Sequence, residues 1–167
     1  MNAGHSNKAR RRTRPAFSLL EVILVLALVA VVAAIAVPRH ANALARYRAE
    51  SAARRLAADL KYARALAEES SGNQTVAFDP VGNTYTLAGR IDPDHPGQPY
   101  TVSLAGAPYH TDLVAASFGG TPTVTFNGFG VASTSGKILV QTGSYAYLIT
   151  VDAASGAVTL GKATAAD

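Results

Sequence analysis

The sequence predicts an α+β chain: a long N-terminal helix, a membrane span continuing into an amphipathic half, packed on a small antiparallel β domain. Three observations predict it. Phe17 to Val37 is an apolar run broken by one charge, Glu21, with no Gly or Pro inside. From Arg39 to about Ser70 the apolar residues recur at three- or four-residue steps, and after Gly72 the period drops from 3.6 to 2. The expected divisions are a leader at 1–16, a membrane helix at 17–38, an amphipathic helix at 39–71 and the β domain at 72–167.

The leader is polar and basic, with Lys8, Arg10, Arg11, Arg12 and Arg14 set directly against the apolar run. The positive-inside bias keeps this end in the cytoplasm. It also accounts for the formal charge of +4 on the chain. Of 15 basic side chains, these five precede Phe17, leaving 10 against 11 acidic ones, so the remainder sums to −1. A nucleic-acid-binding domain shows a clustered basic excess, and this subtraction removes the bulk-charge argument for one. Only Arg90, Lys137 and Lys162 are available for a local patch on the β region.

The run from Phe17 to Val37, at ~1.5 Å per residue, is long enough to cross a ~30 Å hydrocarbon core. A soluble helix of that length keeps a polar face, and from Val22 to Val37 no polar residue occurs. A secretory signal peptide has a shorter apolar stretch followed by a small-residue cleavage site. Here the small residue, Ala16, comes first and the far end is Pro38-Arg39. Glu21, inside the run, bears an intramembrane charge and so needs a partner or a purpose.

Ala16-Phe17-Ser18-Leu19-Leu20-Glu21, behind a basic leader and ahead of an apolar run, resembles the prepilin cleavage and methylation motif of type IV pilins and type II secretion pseudopilins. The resemblance implies a prepilin peptidase that cuts between Ala16 and Phe17 on the cytoplasmic side and methylates the new amino terminus of Phe17. The family usually has Gly where Ala16 stands. Pro38 falls where many pilins carry a helix-kinking proline. A cut before Phe17 creates a cation in an apolar setting, which a neighbouring subunit's Glu21 can neutralise, setting subunit register. The other reading of Glu21 is a side chain that merely reaches the headgroups.

The amphipathic segment carries Leu44, Arg48, Ala52, Leu56, Leu60, Ala63 and Ala67 on one stripe, with Arg54, Arg55, Asp59, Lys61, Glu68 and Glu69 mostly off it. Pro38 disfavours helix just before it; with both flanks helical, the expectation is one kinked helix of roughly 50 residues rather than two. Gly72 or Asn73 is the expected left-handed cap. Gln74 to Asp79 and Thr84 to Gly89 flank Pro80-Val81-Gly82-Asn83 as a hairpin. Arg90 to Pro99 reads as a loop, Tyr100 to Leu104 as a strand and 105–122 as irregular. Thr123 to Phe126, Lys137 to Thr142, Tyr145 to Val151 and Ala157 to Leu160 complete the strands, with Gly143-Ser144 placed for a type II′ turn.

This half also resembles the GspH/FimT group of minor pseudopilins and pilins in Val124-Thr125-Phe126-Asn127-Gly128-Phe129-Gly130, the hairpin Ile138 to Val151, and Ser155-Gly156-Ala157-Val158. The resemblance implies a pilin-like fold and a structural subunit of a periplasmic pseudopilus that promotes export of folded proteins. It implies residence in the bacterial inner membrane with the C-terminal domain periplasmic, and partners in other pseudopilins or pilins, membrane lipid and a secretion assembly platform. The competing readings are a minor type IV pilin in pilus assembly or DNA uptake, and a single-span anchor for an unrelated domain.

Nothing in the sequence points to an enzyme or a cofactor. Cysteine is absent, and His5, His40, His95 and His110 lack metal-ligand spacing. Asp92-Pro93-Asp94-His95 crowds oxygens without the regular series of a calcium loop. Ser133-Thr134-Ser135-Gly136 has no base beside it and reads as a turn.

Overall fold

The computed structural model describes residues 18–163, without the side chains of 35–39. It comprises two units, one ending at His40 and one beginning at Ala41. Helix α1, Leu19–Ser70, contributes to both, as the single helix expected.

In the second unit α1 is followed by β1 (Gln74–Asp79), β2 (Thr84–Ile91), β3 (Pro99–Ser103), β4 (Asp112–Phe118), β5 (Thr123–Phe126), β6 (Gly136–Thr142), β7 (Tyr145–Val151) and β8 (Val158–Lys162). They form two four-stranded sheets, ordered β3-β2-β1-β5 and β4-β6-β7-β8, with every neighbouring pair antiparallel. The sheets meet through Phe78 of β1 and Phe118 of β4, whose rings stack at 5.6 Å. Asn83, in the β1–β2 turn, reaches across as well: its Oδ1 accepts the amide of Leu113 in β4 at 2.7 Å.

The core is the alternate face of the strands closed by one side of the helix. Val76, Phe78, Tyr85, Leu87, Val124, Phe126, Ile138, Val140, Ile149 and Val151 are buried against Ala49, Ala52, Ala53, Leu56, Ala57, Leu60, Ala63 and Ala67. Alanine dominates the helix side because a small side chain lets the helix backbone lie close to a sheet, and it favours helix besides. Burying each of the larger side chains contributes ~1.5–3 kcal/mol.

Five local expectations are corrected. Residues 112–118 form β4, within the stretch read as irregular. Its register shifts between Leu113 and Ala115, and such a bulge breaks the alternation by which a strand is recognised. β2 continues to Ile91, two residues beyond Gly89. The helix cap is Ser71, with φ of 49°, not Gly72 or Asn73. The Gly72 amide donates to Ala67 O at 3.1 Å and that of Ser71 to Glu68 O at 3.2 Å, the paired bonds of a Schellman motif. Leu44 is exposed, because the buried stripe begins only at Ala49. Asp59, placed off the stripe, is buried.

The turn at Gly143-Ser144 is as expected: Thr142 pairs with Tyr145, and Gly143 has φ of 58°.

Candidate functional site

Glu21 stands in the first turn of α1. Ser18 caps that turn. Its carbonyl accepts the amides of Glu21 and Val22 at 3.0 and 3.2 Å, and its Oγ accepts that of Leu20 at 3.3 Å. Ser18 and Glu21 have the spacing of a capping box, and the partial positive charge of a helix N-terminus favours a carboxylate there. Ala16 and Phe17, the expected cleavage and methylation residues, lie outside the described residues. So does the side chain of Pro38, although the helix assignment runs through it.

Every described side chain from Ser18 to Ala34 is exposed, among them Leu19, Leu20, Ile23, Leu24, Leu26 and Leu28. An apolar surface on all sides of a helix needs lipid or other helices to cover it. Among the described residues no helix is long and apolar enough to cross a membrane. The described run stops at Ala34, short of Val37, where the expected span ends.

Two devices fix the rest of α1 on the β domain. The first is centred on Asp59. Its Oδ2 accepts the Tyr85 hydroxyl at 2.6 Å and the Arg55 Nε at 2.9 Å, and its Oδ1 accepts the Tyr100 hydroxyl at 3.2 Å. Arg55 Nη2 also donates to the Tyr100 oxygen at 2.8 Å. Burial, and then the Asp59 charge, push the Tyr85 hydroxyl well above the usual tyrosine range and raise that of Tyr100 as well. The hydrogen bond to Asp59 raises Arg55 further still. Sequence reasoning missed this cluster, yet its signal is present: Ala52, Leu56, Asp59 and Ala63 step by four, three and four, which puts the carboxylate on the buried stripe.

The second device grips the helix end. A Cβ on Gly128 would stand 2.6 Å from the Ser71 carbonyl carbon, so the Asn127–Gly130 turn lies directly on the cap. Gly156 is buried with φ of 62°, and a Cβ there would run into the Gly130 carbonyl oxygen. Asn127 Oδ1 holds the turn, accepting the amides of Phe129 at 3.0 Å and Val131 at 3.1 Å. The two glycine segments singled out in the sequence thus meet at one place, against Arg64, which pairs with Glu68 at 2.9 Å.

The Asp92–His95 loop is closed on itself. Asp92 Oδ2 bonds His95 Nδ1 at 2.9 Å and Oδ1 accepts the Asp94 amide at 2.9 Å. These hydrogen bonds hold Asp92 below the usual carboxylate range, and the Asp92 carboxylate raises His95. Among the described residues no three His, Asp or Glu side chains converge as metal ligands. The three cations on the strands are dispersed. Arg90 Nε donates to Gln74 Oε1 at 2.8 Å in one sheet. In the other, Lys137 pairs with Thr150 and Lys162 with the buried Tyr147. Thr150 and Tyr147 differ by an odd number of positions along β7, so the two lysines belong to opposite faces.

Comparison with known proteins agrees with this geometry. The profile of the type II transport protein GspH matches residues 52–156, and that of the prokaryotic N-terminal methylation motif matches residues 11–37. No curated protein matches the chain. Among solved structures, the type IV minor pilin FimU of Pseudomonas aeruginosa PAO1 superposes with a TM-score of 0.52 at 19% identity, over 70% of this chain and 90% of FimU. A second crystal form of FimU gives 0.49 at 17% identity, over 67% and 91%. The first of these shows a shared fold, an N-terminal helix on antiparallel sheets. With the profile covering most of the chain, both glycine segments and the Asp59 anchor, the protein belongs to the GspH family of pilin-like minor pseudopilins and pilins.

Proposed function

We propose that this protein is a minor pseudopilin of a type II secretion system, a structural subunit of a periplasmic filament that promotes export of folded proteins. The match to a family described by type II transport carries the proposal. The leader is cut between Ala16 and Phe17 by a prepilin peptidase, which methylates Phe17. The run to Val37 sits in the inner membrane with the β domain in the periplasm, Pro38 bends the helix, and the chain joins other pseudopilins and the assembly platform through that helix. Glu21 neutralises a neighbour's new amino terminus and fixes register, a role that suits its exposed place in an apolar first turn. The subunit catalyses nothing.

The fold likeness to a minor type IV pilin keeps a pilus subunit as the second reading. The dispersal of Arg90, Lys137 and Lys162 argues against a DNA-binding role for it.

In cells bearing both systems, deletion of the gene is expected to abolish exoprotein export and leave pilus-dependent motility intact; the converse establishes the pilus reading. The mature protein should begin with N-methylated Phe17 by mass spectrometry. Glu21→Gln should still be cleaved and inserted but lose crosslinks to the other filament subunits, because it leaves an unpaired buried ammonium. An intact leader in cells containing the peptidase would sink both filament readings.

A further inference from the structure

Where α1 first meets the β domain, a cleft of about 220 Å³ opens between the helix and the β6–β7 hairpin, lined by Arg46, Ser144, Tyr145, Tyr147, Lys162 and Ala163. Its chemistry is two cations, two phenols and a serine hydroxyl, with no carboxylate among the lining residues. Glu50 stands one turn along the helix from Arg46. That carboxylate is already engaged: Oε1 pairs with Arg54 at 2.7 Å and Oε2 accepts the Tyr147 hydroxyl at 3.2 Å. These bonds, and more weakly the charge of Arg46, hold Glu50 below the usual carboxylate range. Among the described residues neither Arg46 nor Lys162 takes part in an ion pair.

We propose that this cleft binds the phosphate of an anionic lipid headgroup in the leaflet from which the helix emerges. The proposal rests on the membrane reading given above. Three observations select a lipid over other bearers of an anion. Arg46 follows the last residue of the apolar run, Val37, by nine positions, among the first cations beyond the expected span. Between Pro38 and Ala49 the chain carries Arg39, Arg46 and Arg48 and no acid, the composition of a segment held at an anionic surface. Leu44 and Tyr47, on the neighbouring turn, are exposed, and a tyrosine ring is suited to the interface between lipid and water. The phosphate would sit between Arg46 and Lys162 with the Ser144 hydroxyl as a further donor, an arrangement of charge-assisted hydrogen bonds.

The test uses the full chain in dodecylmaltoside micelles doped with phosphatidylglycerol. Native mass spectrometry should show retained phosphatidylglycerol, and Arg46→Gln/Lys162→Gln should weaken retention roughly thirty-fold, the expectation for two cations at a membrane surface. Lys137→Gln, on the other face of the same sheet, should retain the lipid as the parent does. Unchanged thermal unfolding of the double variant separates lost binding from lost folding. Equal retention by the double variant overturns the proposal. So do two other outcomes: amide shifts at Ser144 to Tyr147 with inorganic phosphate but no lipid retention, which makes the cleft a free-anion site, and shifts with polyglutamate alone, which assign it to an acidic protein partner. Failure of the secretion reading is distinct, since leader processing and exoprotein export do not enter this measurement.

Discussion

Asp59 shows how one residue can decide where a helix sits. A carboxylate taken out of water is costly unless its oxygens are saturated, and here three donors from both the helix and the first sheet converge on it. Only one rotation and height of α1 satisfies all three, so the cluster specifies position more than it adds stability. Tyr85 is the fully buried member. Tyr85→Phe should destabilise the β domain by about 1.5–3 kcal/mol near neutral pH, as for a hydrogen bond to a charged group. The alkaline limb gives the sharper check. Burial and Asp59 raise the folded pKa of Tyr85, so its contribution is complete below ~10, where an unfolded tyrosine titrates, and is lost as pH rises beyond that. Above it the unfolded chain binds fewer protons than the folded one, and stability should fall by ~1.4 kcal/mol per pH unit. Denaturant melts at pH 8 and pH 11 should therefore show the gap between parent and Tyr85→Phe closing. A constant gap would mean the hydroxyl is not held as described. The spacing that buries Asp59 was legible in the sequence, but its partners were not, because Tyr85 and Tyr100 reach it only through the pairing of β2 with β3.

At the scale of elements, legibility followed periodicity. The helix and the strands with clean alternation were predicted to within a few residues, whereas β4 was missed because its bulge puts two residues where one belongs. The Ser71 cap was missed for a different reason. Ser is an ordinary residue there, and what selects it is the turn at Gly128 lying on its backbone, a contact far away in sequence. The glycine segments that carried the family resemblance turn out to be a clasp on the helix end. This clasp predicts a ranking. Gly156→Ala must bear left-handed strain of ~1–2 kcal/mol and also push a methyl into the Gly130 backbone, for ~1–3 kcal/mol more. Gly143→Ala, at φ of 58° with open space around it, should bear the strain alone. Chemical denaturation of the two variants should show Gly156→Ala clearly the less stable. Equal losses would show that the segments around Gly130 and Gly156 part without penalty and do not clasp the helix.

At the scale of the whole molecule, the chain is divided by what each part needs in order to be covered. Among the described residues, all the buried core residues lie between Ala49 and Val158, so none of them is contributed by the unit that ends at His40. That unit instead presents apolar side chains outward along the described run. Its family motif was legible because a charge inside an apolar run and a small residue ahead of it are unusual one by one and more so together. The choice between secretion and pilus was not, because it resides in the neighbouring subunits that the exposed helix would contact. A fragment beginning at Ala41 should therefore fold alone. Its large exposed apolar side chains, Tyr47, Val81, Ile91 and Phe129 among them, are dispersed over separate elements rather than gathered in one patch. The expected result is a soluble monomer by analytical ultracentrifugation, a circular dichroism spectrum of mixed helix and strand, and one cooperative unfolding transition. The full chain should need detergent. A disordered or aggregating fragment would mean that the β domain depends on the apolar helix or on partner subunits to fold, and the two-part reading of the chain would fail.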